Sequence, residues 1–237
     1  MKAMILAAGR GERLRPLTDT VPKPLVEVAG KPLIVYHIER LAALGVKQIV
    51  INHAWLGSKI EQALGDGSRW NVNLQYSAET QALETGGGIK KALPLLGDDP
   101  FFVVNGDVFI DTLPTLDGLP LSLESIEAKL QACQAYLWLV DNPPQHPDGD
   151  FYLNKGLVND TADNHVSQNK LTFSGIGVYR PQLFDDTPEG RFGLAPLLKT
   201  YMSQGLVAGE YYSKYWCDVG TLDRLATLNQ RQSDANG

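Results

Sequence analysis

Apolar residues in this chain fall into short unbroken runs separated by helical stripes, and the alternation is regular through residues 1–110. Lys2 to Leu6 reads as a buried first strand. Pro32 stands at a helix start, and Leu33, Tyr36, His37, Leu41 and Leu44 form a helical stripe that stops at Gly45. Gln48 to Asn52 is a buried strand, Leu56 to Leu64 a short helix ended by Gly65, and Val72 to Tyr76 an alternating strand. Thr85 to Leu95 opens on glycines and continues as a helix, and Phe101 to Val104 is another buried strand. Strand and helix in this order predict an α/β fold with a parallel sheet covered on both faces. Ligands of such sheets bind at the carboxyl ends of the strands.

The pattern loosens after residue 110. Thr112 to Gln134 carries Pro114, Pro120 and a helix from Leu123 to Ala132. Ala135 to Val140 is a strand, Asn142 to Asp150 a loop by composition, and Tyr152 to Asp160 a hairpin turning at Lys155-Gly156. Leu171 to Tyr179 and Leu206 to Tyr212 are strands, with a helix from Leu194 to Tyr201 between them. A final helix spans Leu222 to Leu228, and the polar stretch after Asn229 reads as a frayed tail, residues 230–237.

A hydrophobic fraction of 43% and a charged fraction of 20% are those of an ordinary globular chain. The net charge of -6 argues against a nucleic-acid surface, which is basic. Met1 to Leu6 is too short for a signal peptide and no apolar run reaches membrane-spanning length, so the expectation is a cytoplasmic protein with no membrane partner. Cys133 and Cys217 have no metal-type spacing and read as reduced thiols.

The loop after the first strand concentrates the chemistry. Ala7-Ala8-Gly9-Arg10-Gly11-Glu12-Arg13-Leu14-Arg15-Pro16-Leu17-Thr18 is followed closely by Lys23-Pro24-Leu25. Glycines let backbone N–H groups approach an anion, and Arg10, Arg13, Arg15 and Lys23 add positive charge, so the loop suits phosphates. The Walker A pattern is absent, and Leu14 stands where a dinucleotide fingerprint needs its third glycine. The whole run resembles the signature of the sugar-1-phosphate nucleotidyltransferases, and the resemblance extends through Val104-Asn105-Gly106-Asp107 to Trp216-Cys217-Asp218-Val219-Gly220-Thr221.

That resemblance implies a single domain, 1–229, on a Rossmann-like, mixed but mainly parallel sheet flanked by helices. A nucleotide half (1–110) would join a sugar half (111–229). It implies transfer of a nucleotidyl group to a sugar-1-phosphate with release of pyrophosphate. Arg13 and Lys23 resemble the signature cations on the phosphates, and Ala8, Gly9, Gly11 and Glu12 the loop around the nucleotide. Asp107 and Asp218 resemble the pair that holds Mg²⁺, an ion bound by one or two carboxylates plus phosphates and water. Asp111 is a third acidic candidate. Leu83 to Ile89 is a second glycine cluster; Gly86 and Gly87 suit the approach of a flat base, and Glu79 or Glu84 suits a hydrogen bond from base or ribose.

Arg15 reads as a solvated loop charge. His37 lies on a helix stripe and reads as core or interface, and His53 ends a strand near the site. His146 and His165 lie elsewhere, and no histidine pair has metal spacing. The chain has no Glu-Lys-Pro stretch of the glucose-1-phosphate thymidylyltransferases. Leu139 to Pro143 and Gly149 to Phe151 look most like the N-acetylmuramate-1-phosphate uridylyltransferases of bacterial cell-wall recycling. This implies UTP as the nucleotide, with Asn105, Asn142, Asp150 and Gly175 near the sugar or its phosphate. Mannose-1-phosphate with GTP and glucose-1-phosphate with dTTP or UTP are alternatives in the same class. A catalytically silent nucleotide-sugar sensor is an alternative outside it, disfavoured by the joint presence of Arg13, Lys23, Asp107 and Asp218.

Overall fold

The apolar runs become the strands of one nine-stranded sheet in the computed structural model, which describes residues 1–162 and 169–236. His165 lies outside the described residues. Four parallel strands form one side of the sheet: β1 (Lys2–Leu6), β2 (Gln48–His53), β3 (Asn73–Ala78) and β4 (Phe101–Asn105). Their order is β3-β2-β1-β4, with Leu6 opposite both Asn52 and Asn105, so their carboxyl ends finish at one edge. β5 (Val108–Ile110) leaves the sheet immediately after β4. The other side is mixed. β6 (Ala135–Val140), the hairpin β7 (Tyr152–Asn154) and β8 (Leu157–Asn159), β9 (Thr172–Tyr179) and β10 (Val207–Tyr211) continue the order as β7-β8-β10-β6-β9 up to β4. β9 runs antiparallel to β4 and β6, whereas β10 is parallel to β6.

Each central strand feeds two cores because alternate side chains point to opposite faces. Ala3, Ile5, Ile49, Ile51, Phe102 and Val104 pack with α1 (Leu33–Ala43), α2 (Gly57–Leu64) and α4 (Leu123–Lys129) on one face. Met4, Val50, Phe101, Val103 and Leu137 pack with α3 (Glu84–Leu96) and α5 (Leu194–Met202) on the other. The hairpin turn at Lys155 and Gly156 has positive φ at both residues, 49° and 80°, which matches the right-handed strand twist. No helix among the described residues is long and apolar enough to cross a membrane.

Two departures from the sequence expectation concern the C-terminal part of the chain. β11 (Trp216–Asp218) pairs with β5 as a separate antiparallel ribbon. Three-residue strands carry too little periodicity to be read ahead of time. The last helix, α6, runs Leu222–Asn236 rather than stopping at Leu228, so residues 230–236 are helix and not a frayed tail. Leu228 is fully buried in a small third core with Val28, Leu33, Phe109 and Val219. Beyond it the polar residues are tied down: the Asn229 carboxamide oxygen accepts from the Ala29 N–H at 2.7 Å, and Arg231 forks onto Asp111 at 2.9 and 2.6 Å.

Candidate active site

The first glycine loop leaves β1 over the carboxyl edge of the sheet. Gly11 has φ of 70°, and its carbonyl accepts from the Leu14 N–H at 2.9 Å and the Thr18 hydroxyl at 2.7 Å. A Cβ at Gly11 would lie 3.0 Å from Thr18 Cγ2 and 3.1 Å from Lys23 Cβ. Glycine is required there on both counts, left-handed backbone and close approach. The loop thereby folds over Lys23, which is only 9% exposed. Ala8, Gly9, Gly11 and Lys23 wall a cavity of about 240 Å³ that Asn105 and Asp107 close from the opposite side.

The ribbon of β5 and β11 brings the two aspartates together. Val108 stands opposite Asp218, and the Val219 N–H donates to the Asp107 carbonyl at 2.7 Å. The two residues are 111 positions apart in sequence and adjacent here (from 107 and 218). The ribbon is backed by His37, whose Nε2 lies 2.8 Å from the Val108 carbonyl; a carbonyl only accepts, so Nε2 carries the proton. His37 is buried, and burial, with Arg40 nearby, pushes its pKa down to about 4, so the ring is neutral.

Positive charge surrounds the pair. Lys23 Nζ lies 2.5 Å from Asp107 Oδ2, Arg224 pairs with Asp218 Oδ2, and Gln145 Nε2 donates to Asp218 Oδ1 at 2.6 Å. A Cβ on Gly220 would lie 3.1 Å from an Arg13 guanidinium nitrogen, so Arg13 reaches the turn that follows Asp218. Among the described residues no group of three or more histidine, cysteine or acidic side chains could hold a metal ion. Asp107 lines the phosphate-type cavity, and Asp218, across the ribbon, lines another of about 520 Å³. A pair of carboxylates of this kind fits Mg²⁺, which completes its shell with phosphate and water, and does not fit a metal that needs a full protein cage.

The second glycine cluster opens α3 and is pressed into its neighbours. A Cβ at Gly86 would meet the Phe192 ring at 2.5 Å, one at Gly87 the Gly190 carbonyl at 2.0 Å, and one at Gly88 the Asn52 amide at 2.8 Å. Glycine is needed here for helix packing. Thr85 and Glu84 line the cavity, whereas Gly86 and Gly87 do not. Glu84 is paired with Arg191 at 2.8 Å. Glu79 is buried behind the cavity and accepts from the Asn52 amide at 2.7 Å and the Leu83 N–H at 2.9 Å.

A second cavity of about 250 Å³ shares Thr85 and Asn105 with the first and runs to Asp150, Phe173 and Leu194. Gly175, at φ of 78°, sits where β9 slips register against β6, and a Cβ there would strike the Asn105 amide at 2.6 Å. Gly175 therefore seats Asn105, whose side-chain amide makes no hydrogen bond among the described residues. Asn142 and Asp150 are engaged elsewhere. The Asn142 amide donates to the Pro147 and Lys170 carbonyls at 3.0 and 2.9 Å and accepts from Thr172. Asp150 accepts from the Phe173 N–H at 2.8 Å and contacts His146 at 3.0 Å. Asn142 lines neither of these cavities but the one of about 520 Å³, which it shares with Gln145, Asp218 and Arg224.

Several other sequence candidates lie off the site. Asp111 is engaged with Arg231, and Arg15 pairs with Asp19 at 3.0 Å on the surface. Arg10 stacks on Trp55, 4.5 Å from its ring centre, and Glu12 is exposed beside it. His53 contacts Glu61 at 2.7 Å under α2. Asn52, Gln145 and Arg224 touch the site but stand out in no motif. Gln145 and Arg224 lie in a loop and on a helix face whose closeness to Asp218 only the tertiary structure reveals.

The model for the nucleotidyl transferase family matches residues 2–235. The chain is 53% identical over 228 residues to an N-acetylmuramate alpha-1-phosphate uridylyltransferase of Neisseria meningitidis serogroup B, covering 95% of each chain. It is 35% identical over 245 residues to the enzyme of that name from Caulobacter vibrioides, covering 98% of this chain and 97% of the other. A Bacillus anthracis structure assigned as a glucose-1-phosphate thymidylyltransferase and solved with sucrose superposes with a TM-score of 0.83. It shares 21% identity, with 99% of this chain and 96% of that chain covered, which speaks to the fold alone. On the family match and on relatives that align over nearly their whole length, this chain belongs to the nucleotidyl transferase family.

Proposed function

We propose that this chain transfers a uridylyl group from UTP to N-acetylmuramate α-1-phosphate, releasing pyrophosphate and forming UDP-N-acetylmuramate. The observation that carries the reaction class is the ribbon that sets Asp107, which lines the cavity walled by Gly11 and Lys23, beside Asp218. The substrate pair is supported by the two relatives of that activity.

In this reading the triphosphate lies under the first glycine loop. Asp107 and Asp218 would hold Mg²⁺. Bound there, the ion would neutralise phosphate oxygens and polarise the α-phosphorus. Lys23 and Arg13 present fixed positive charge to the phosphates, and fixed charge at developing charge is the usual large term in such transfers. Asn105, its amide uncommitted among the described residues, contacts the sugar phosphate between the two cavities. A phosphate oxygen of the sugar substrate attacks the α-phosphorus in line; the bond to the bridging oxygen breaks and pyrophosphate leaves with its electrons. The nucleophile is already ionised near neutral pH, so positioning replaces proton removal. Accordingly no histidine is needed as base: His37 is buried behind the ribbon and His53 is turned to Glu61.

The test is a pyrophosphate-release assay over a grid of nucleoside triphosphates and sugar-1-phosphates with Mg²⁺. Turnover is expected to be highest for UTP with N-acetylmuramate α-1-phosphate. Release with no pair would overturn the enzyme reading, and a preference for GTP with mannose-1-phosphate would overturn the substrate.

A further inference from the structure

Glu79 is a carboxylate only 6% exposed, and no cation is paired with it among the described residues. Its oxygens are satisfied by two donors of different origin. Oε2 accepts from the Leu83 N–H at 2.9 Å, and Oε1 accepts from Asn52 Nδ2 at 2.7 Å. Asn52 is 2% exposed, and its own Oδ1 accepts from the Ala7 N–H at 2.8 Å. The donor and acceptor ends of the Asn52 amide are therefore fixed by the network. One side is held by a backbone donor, so only the NH₂ group can face Glu79.

The two anchored backbone N–H groups belong to the two glycine clusters. Ala7 is the first residue of the phosphate-type loop and lines the cavity, as Asn52 does. Leu83 immediately precedes Glu84 and Thr85, which line the cavity from the other side. α3 comes close enough to seal this pair only because residue 88 is glycine; a Cβ there would stand 2.8 Å from Asn52 Nδ2 and 2.9 Å from Glu79 Oε1. Buried networks of this kind hold one geometry when every member is satisfied.

We propose that Asn52 and Glu79 form a positioning pair that fixes the spacing between the two loops, so that Glu79 supports nucleotide binding through Asn52 and Leu83 rather than by touching the base. The proposal rests on the uridylyl-transfer reading for its ligand. It has a chemical signature. In Glu79→Gln the new amide must aim its own NH₂ at either the Asn52 NH₂ or the Leu83 N–H, so two donors collide. In Asn52→Asp two acceptors collide. In the double variant Asn52→Asp/Glu79→Gln each donor again meets an acceptor. The carboxylate introduced at position 52 accepts from the Ala7 N–H and from the new amide at position 79, and the oxygen of that amide accepts from the Leu83 N–H. Net charge is that of the wild type.

The experiment measures UTP, CTP and dTTP affinities by calorimetry on the full chain, with KM for the sugar-1-phosphate and melting temperature alongside. Each single variant is expected to weaken all three nucleotides by about tenfold or more, as for a buried donor or acceptor left unpaired. The ratios among bases stay as in the wild type, and the sugar-phosphate KM moves by less than about twofold. The double variant is expected to regain most of the affinity. A change in base preference in Glu79→Gln would overturn the proposal in favour of direct base reading. A double variant no better than the worse single one, or a wild-type affinity in Glu79→Gln, would also overturn it and leave the functional reading intact. A wild-type chain that binds no nucleoside triphosphate overturns the functional reading, and this role of the pair with it.

Discussion

Replacing His37 by Gln tests whether the ribbon that carries Asp107 rests on a neutral buried imidazole. Gln keeps an N–H donor at the place of Nε2, so the bond to the Val108 carbonyl can persist while the titration is removed. The pKa of His37 falls from 6.5 to about 4, first through burial and then through Arg40 on the next turn of α1; the Val108 carbonyl and Asp107 oppose this more weakly. The sign follows from the two proton affinities. Above 6.5 neither folded nor unfolded chain protonates the ring. Below it the unfolded chain takes up a proton that the folded chain refuses, and stability falls until the folded ring also protonates near 4. At about 1.36 kcal/mol per pH unit the ceiling is about 3 kcal/mol, of which about 2 kcal/mol is lost by pH 5. The assay is urea unfolding followed by tryptophan fluorescence from pH 7.5 to 5, taken as the difference between the wild type and His37→Gln. Carboxylates common to both proteins cancel in that difference, and a constant offset from repacking does not matter. The wild type is expected to lose about 2 kcal/mol relative to the variant between pH 7 and pH 5. A difference that stays flat across that range would refute the burial argument.

Three further outcomes follow from the site. Asp107→Asn and Asp218→Asn should each lower turnover by about a hundredfold or more at saturating Mg²⁺; near wild-type rates in either would remove that residue from the metal role. Gly11→Ala should destabilise the fold by about 1–3 kcal/mol in chemical denaturation, through its positive φ, and loosen the loop over Lys23; unchanged stability would mean that the loop adopts another backbone. Arg231→Ala, which removes the fork onto Asp111 and a guanidinium 3.6 Å from the Tyr215 ring centre, should cost about 1 kcal/mol of stability while leaving the rate near that of the wild type; a lost rate with intact stability would return Asp111 to the catalytic candidates.

What could be read in advance divides along physical lines. The buried parallel strands were legible because a strand covered on both faces must be apolar at every position, as in Ile49 to Ile51 and Phe101 to Val104. The glycine turn after β1 was legible because left-handed backbone and close approach to Thr18 and Lys23 leave few choices but glycine at residue 11. The ribbon was not, since Val108–Ile110 and Trp216–Asp218 are each three residues long and owe their strand character to one another. The end of α6 was not, because its polar residues are held by Asp111 and the Ala29 N–H, partners remote in sequence. The glycines of residues 86–88 show how one composition admits two physical readings. Glycine permits approach, but sequence does not say of what: at Gly86 it is the Phe192 ring, and at Gly88 it is a buried amide and a carboxylate. Glu79 reads in the sequence as a candidate partner of base or ribose, whereas in the structure its carboxylate is occupied by the Leu83 N–H and by Asn52, which in turn accepts from Ala7. A residue type therefore announces the chemistry available at a position. Which partner receives that chemistry is decided by topology, and here the topology turns the two glycine clusters toward each other across a single carboxylate.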